Sequence, residues 1–325
     1  MATYKGIQGY SVQKLSSDPT ASETAGQLWY NSTSGKFKIS TEGSGAWASG
    51  GNLNATRYAG AGLGTQTAAL AVGGQAPGPP YPEDTNESYD GSTWTEVADL
   101  NTGRAFYGAT SSAGTQTAGI VFGGTKDPWA TYSADTELWN GASWTEVNDL
   151  NAAKGLKAGC GTSTAAIANG GEPLNATNEL WDGTSWTEVN DLNASIMGHV
   201  NAGTSTAALQ MGGTPGAQAD CETWDGTCWS ETADLNTGRY YLGGAGSSTA
   251  ALAFAGAAPS ATGATEAWDG TSWTELADLS AARFGACAAG ASNTSALCAG
   301  GNTGPGAVTE EWTDPVYTIK TVTVS

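Results

Sequence analysis

One seven-residue stretch, Trp186-Thr187-Glu188-Val189-Asn190-Asp191-Leu192, constrains the fold more than any other feature, because it keeps returning. Copies begin at Trp94, Trp144, Trp229 and Trp273, and a degenerate sixth runs from Trp47 to Leu53. Successive Trp positions lie 47, 50, 42, 43 and 44 residues apart. A period of that size marks an array of small supersecondary units, each too short to bury its own apolar face.

The residues between copies give each unit its shape. After the Leu comes a short run starting at Arg57, Arg104, Arg239 or Arg283, with Lys154 and Ile196 at the same place in the third and fourth copies. This run reads as a first strand. A second strand is small and apolar and ends in Gly-Gly, as in Ala68 to Gly74. Such strands suit places where sheets converge and only small side chains fit. The third strand carries an aromatic (Tyr89, Trp139, Trp181, Trp224, Trp268, Trp312) and in five copies turns through Asp-Gly or Asn-Gly, the strongest short hairpin signal. The fourth strand carries the recurring Trp. Only 13% of residues are charged, against about 25% in typical domains, and no helix-like Leu/Glu/Lys run is visible.

Four strands per unit and a period in the forties describe propeller blades. An apolar strand, Gly-Gly, a Tyr or Trp and then a Trp resembles the kelch repeat over residues 47–312, with the two aromatics closer than usual (Trp181 and Trp186). The fold class expected is all-β: a six-bladed β-propeller of kelch-type four-stranded repeats with a small N-terminal hairpin extension. The stray copy at Trp47 to Leu53 supplies the last blade's fourth strand and closes the ring, which removes an open edge. A competing register closes it with the alternating C-terminal run Tyr317 to Val324. The division expected is 1–46 extension, 47–314 propeller and 315–325 C-terminal strand.

Gly26-Gln27-Leu28-Trp29-Tyr30-Asn31-Ser32-Thr33-Ser34-Gly35-Lys36-Phe37-Lys38-Ile39 reads as a hairpin. It is similar to a short module of tailed-bacteriophage tail and fibre proteins, with Gln27 in place of the usual Asp. That resemblance implies attachment to a virion, with Leu28, Trp29, Tyr30 and Phe37 as anchoring residues. The other reading is a cap on the repeat array. The whole chain resembles kelch-like virion proteins of marine bacteriophages.

Composition excludes several functions. A net charge of -19 with 12 Lys plus Arg argues against nucleic acid and anionic lipid as partners. No apolar run approaches a membrane span, and the N-terminus lacks a signal-peptide core, so synthesis in the host cytoplasm is expected. The five Cys form no metal-type pair, so no metal or cofactor is expected; Cys287 and Cys298 could face each other across a hairpin, but reduced thiols are favoured. His199 is the lone histidine and lacks partners for catalysis. Ser88-Tyr89-Asp90-Gly91-Ser92-Thr93-Trp94 misses the sialidase Asp-box by one residue. Arg57, Arg104, Arg239 and Arg283 either brace blades by pairing with the Asp before each Leu (Asp99, Asp149, Asp191, Asp234, Asp278) or converge on a substrate carboxylate. Bracing is favoured, because scaffolding repeats on every blade and function rarely does.

Function on a repeat scaffold sits where repeats differ. The loops after Gly-Gly hold 12 residues in the first two blades against 7 to 9 in the others. Tyr81, Trp129 and Tyr132 in them lie outside the blade pattern and suit a sugar ring or a protein surface, or else loop-on-loop packing. The function expected is a non-enzymatic virion structural protein, in tail, neck or capsid appendage. Its partners would be other virion proteins and a host surface glycan or protein, with oligomerisation through terminal strands. The rival is a glycan-binding or glycan-processing propeller enzyme of sialidase-like type.

Overall fold

The computed structural model describes residues 12–20, 26–76, 82–106, 111–127, 131–302 and 306–322. Every regular element among them is a strand, and the strands form seven four-stranded sheets, so the all-β expectation stands. The chain divides into two units: residues 46–313, and a smaller unit built from both ends, 1–45 with 314–325.

The larger unit holds six sheets, each an antiparallel meander from an inner to an outer strand. The first sheet is Ala61–Thr65, Ala68–Gly74, Glu83–Tyr89 and Trp94–Val97. The second to fifth repeat it, with inner strands Ser112–Thr115, Ala158–Thr162, Val200–Thr204 and Gly243–Ser247. The sixth is Cys287–Ser292, Ser295–Ala299 and Thr309–Thr313, and takes its outer strand from Ala46–Ser49, with Trp47 opposite Trp312. The stray N-terminal copy therefore does what its sequence suggested. The competing C-terminal strand, Val316–Thr321, pairs with Lys36–Gly43 instead.

Local chemistry sets these strands. The Asp90 carboxylate accepts the backbone N–H groups of Ser92 and Thr93 at 2.9 and 2.8 Å, and Gly91 takes φ 92°, which a side chain resists. That turn fixes Tyr89 opposite Trp94, as Asn140 fixes Trp139 opposite Trp144. The paired aromatics then wedge between sheets: Trp94 packs with Leu297 and Ala299 of the sixth sheet, and Trp144 with Leu63 and Val72 of the first. Truncating one such Trp to Ala costs about 3–5 kcal/mol.

Gly-Gly marks where sheets meet. The second Gly of each pair (Ala255-Gly256 in the fifth sheet) donates its N–H to the residue at the arginine position of the next sheet. Gly74 bonds Arg104 O, Gly124 Lys154 O, Gly171 Ile196 O, Gly213 Arg239 O and Gly256 Arg283 O, and Gly301 returns to Arg57 O, all at 2.8–3.0 Å. Six links thus close on themselves. A Cβ on Gly73 would lie 2.5 Å from Arg104 O, so the junction admits no side chain.

The first strands start later than expected. Runs at Arg57, Arg104, Arg239 and Arg283 precede the inner strands, which begin at Ala61, Ser112, Gly243 and Cys287. In five of the six lead-ins the cause is a left-handed residue: Ala59 (φ 56°), Leu156 (φ 52°) and Tyr241 (φ 54°), with Gly198 and Gly285 at matching sites. Backbone of that kind cannot continue a strand. Its N–H turns to the neighbouring lead-in, as in Ala59 N to Gly285 O (2.7 Å) and Tyr241 N to Gly198 O (2.8 Å).

The smaller unit is one sheet. Gln13–Leu15 runs parallel to Leu28–Asn31, which forms the expected hairpin with Lys36–Gly43, and Val316–Thr321 completes the far edge. The two terminal segments, read from sequence as separate, thus share a sheet. Asn31 caps the hairpin turn by accepting the N–H groups of Thr33 and Ser34.

Candidate functional site

The recurrent arginines do not converge on an open pocket. Arg57 pairs with Glu87 (2.9 Å), Arg104 with Glu137 (2.6 Å), Arg239 with Glu266 (3.1 Å) and Arg283 with Glu310, all deeply buried. Each Glu lies on the third strand of the same sheet. Its second oxygen holds the chain ahead of the arginine: Glu137 Oε2 accepts from Asn101 N and Nδ2 at 2.9 and 2.8 Å. The guanidinium also donates to backbone, Arg104 Nη1 reaching Gly123 O and Asp135 O. Burial works against the charge of Arg104, and Glu137 counters it. The brace expected from sequence is therefore present with a different partner. In four copies the Glu two residues before the aromatic pairs with Arg, within one sheet, while the Asp before each Leu does not. The signal was in the sequence, since Glu-x-Tyr or Glu-x-Trp occurs in all six copies (Glu87, Glu137, Glu179, Glu222, Glu266, Glu310).

The third and fourth sheets depart from this pattern. Lys154 stands at the arginine position, yet Lys157, three residues on, reaches Glu179 at 3.4 Å from full burial. In the fourth sheet Ile196 stands at the arginine position, and among the described residues no cation pairs with Glu222. Gln210 substitutes for part of the guanidinium, donating to Gly212 O (2.7 Å), the carbonyl equivalent to Gly123 O. Burial raises the Glu222 carboxyl above the ordinary 4.5, against hydrogen bonds from Asn193. His199 lies at the Lys157 position of this sheet, fully buried, its Nε2 2.8 Å from Asn169 Oδ1. Burial, then the Lys157 charge, pushes the imidazole down to about 3, so it stays neutral. A neutral, enclosed imidazole cannot exchange protons with a substrate.

Tyr81 and Trp129 lie outside the described residues. Tyr132 is half-buried, bridges to Thr125 and closes over Gly155. Burial, then a hydrogen bond to Glu172, raises its phenol. Of the anchoring candidates, Trp29 is buried (2% exposed) with Nε1 on Asp18. Leu28 (37%) and Phe37 (44%) are exposed, and Tyr30 packs against Phe37 with ring centroids 5.2 Å apart. Leu28, Tyr30 and Phe37 share one face by register. All five cysteines are free. Cys287 opposes Ala299 and Cys298 opposes Ala288, so the two thiols leave opposite faces of their hairpin. Among the described residues no group of His, Cys, Asp and Glu could hold a metal ion.

Two cavities of the larger unit are lined by described residues. One, of about 310 Å³, runs between the inner strands and is lined mainly by Gly and Ala, with Cys160, Asn201 and Thr204. The other, of about 510 Å³, is a groove where the fourth and fifth sheets meet, between the loops around Thr214–Ala217, Thr237–Tyr240 and Ala258–Pro259. Tyr240 stands in its wall, edge-on to Tyr241 with centroids 5.0 Å apart. Tyr240 lies outside the two longest loops, where Tyr81, Trp129 and Tyr132 stand. An aromatic follows the arginine position in three copies (Tyr58, Tyr240 and Phe284) where the others have Ala105, Gly155 or Met197, so the sequence did not single out Tyr240.

No protein-family model and no curated protein sequence matches the chain. Among solved structures, that of YjhT, a β-propeller, is similar at 15% identity with a TM-score of 0.67, over 83% of this chain and 99% of that one. At that identity the likeness shows the fold alone: this chain contains a β-propeller.

Proposed function

We propose that the larger unit is a six-bladed propeller of kelch type, the seventh sheet being an attachment module, and that the chain is a non-catalytic structural protein of a tailed-phage particle. The six Gly-to-carbonyl links that return from Gly301 to Arg57 support the blade count. One observation carries the non-catalytic reading: every repeat arginine is enclosed in an ion pair with a glutamate of its own sheet. A substrate carboxylate would find no arginine free at these positions. The smaller unit supports attachment, for it presents Leu28 and Phe37 outward on a hairpin that resembles a tail-fibre module. Mass spectrometry of purified particles tests the reading: the chain should be found in them. Deletion of residues 1–40 should leave a folded ring that no longer incorporates. Normal incorporation of the shortened chain would end the attachment claim.

The likeness to YjhT favours a second reading, a glycan-binding or glycan-processing propeller, over the particle protein. Its match extends over 99% of that chain and carries no sign of a particle. The buried arginines weigh against the processing half of that reading and leave glycan recognition, which both readings share. Hydrolysis of sialyllactose by the purified chain would establish processing.

A further inference from the structure

We propose that the groove between the fourth and fifth sheets is a sugar subsite, in which an uncharged hexose ring stacks on Tyr240. The inference rests on the recognition role above and names its ligand class. The groove's volume, about 510 Å³, lies within the roughly 300–1,000 Å³ typical of small-molecule sites.

Its lining is Thr214, Gly216, Ala217, Thr237, Gly238, Tyr240, Ala258 and Pro259, with no charged side chain among them. Tyr240 is preorganised: backbone bonds to Ala257 run both ways at 3.1 and 2.9 Å, its hydroxyl donates to Pro259 O at 3.4 Å, and Tyr241 meets it at 86°. An aromatic ring held in this way loses little entropy on contact and offers a face to the C–H side of a sugar.

Polar atoms stand ready beside it. The hydroxyls of Thr214 and Thr237 enter no hydrogen bond with the described residues, so both can serve ligand hydroxyls. Gly216 lies open, with nothing within 4 Å of where a Cβ would sit, and lets a ring approach the backbone.

Charge selects the sugar. The chain carries -19, and the groove supplies no cation to offset that field, so an acidic sugar is disfavoured against a neutral one. The proposed site therefore differs from the sialidase-like rival in place and in ligand.

Titration calorimetry of the full chain against maltose, cellobiose, mannobiose, lactose and sialyllactose tests this. At least one neutral disaccharide should bind saturably, and sialyllactose should bind no better than lactose. Tyr240→Ala should weaken the neutral ligand about tenfold, while Tyr240→Phe, which keeps the ring, should stay within about threefold. Thermal melting of both variants separates lost binding from lost fold. Failure of all four neutral sugars to bind, or binding unchanged in a folded Tyr240→Ala variant, would overturn the groove assignment. Tighter binding of sialyllactose would overturn the charge argument. None of these outcomes touches the particle reading, which stands or falls on particle composition.

Discussion

Four sheets of the ring carry an Arg–Glu pair, and the third and fourth do not. In the second sheet Arg104 satisfies Gly123 O, Asp135 O and Glu137 at once. The third makes do with Lys157, a point charge with no planar fork. Among the described residues the fourth has no cation at this place, and Gln210 serves the carbonyl of Gly212. The glutamate survives in all six because its other job, holding the Asn or Ser of the lead-in, does not need the cation. The difference teaches that the cation is a brace with substitutes. A ligand-binding arginine would have no reason to give way to an Ile whose missing carbonyl contact is taken over by a Gln on the second strand.

The comparison breaks most visibly by removing one partner of an intact pair. Glu137→Ala strands the Arg104 guanidinium in a dry interior and should cost about 3–5 kcal/mol, read as a fall in denaturation midpoint. Glu222→Gln, at the equivalent site without a cation, should change stability by about 1 kcal/mol or less. It should also alter the pH profile. A carboxyl whose folded value is raised lends stability below 4.5 that is lost as pH rises through the raised value, so the parent should weaken there and the Gln variant should lose that part of the slope. Equal losses from Glu137→Ala and Glu222→Gln would erase the distinction between the sheets.

A smaller effect concerns the outer-strand tryptophans. Trp186 donates to Thr136 of the preceding sheet at 3.0 Å, and Trp94 to Thr309 likewise. Asn178 stands at the matching position of the sheet before Trp229, and both Trp229 Nε1 and Asn178 Oδ1 are buried without partners among the described residues. Asn178→Thr should give Trp229 its acceptor and raise stability by about 0.5–1 kcal/mol, measured by denaturant titration.

Much of the ring was legible in the sequence because its signals are local or periodic. Asp-Gly pairs announce hairpins, Gly-Gly announces a junction, and the misplaced Trp47 copy announces closure. What stayed hidden was long-range pairing. Arg104 and Glu137 lie 33 residues apart, and period alone cannot choose between Glu137 and Asp149 as the partner. The start of the inner strands was hidden too, because left-handed Ala59 and Tyr241 carry no sequence mark of their own. The groove at Tyr240 escaped because loop length drew attention to the first two sheets, whereas the cavity depends on which loops happen to stand apart.

The central claim, that the buried cation is a structural brace and leaves recognition to the loops, has one direct measurement. Arg104→Ile and the graft Arg104→Ile with Val121→Gln, which copies Ile196 and Gln210 of the fourth sheet, would be compared by thermal unfolding. The single variant should lose about 3 kcal/mol or more, and the graft should recover a clear part of that loss. A single variant as stable as the parent would contradict the account, because an arginine the fold does not need would have to be kept for a ligand.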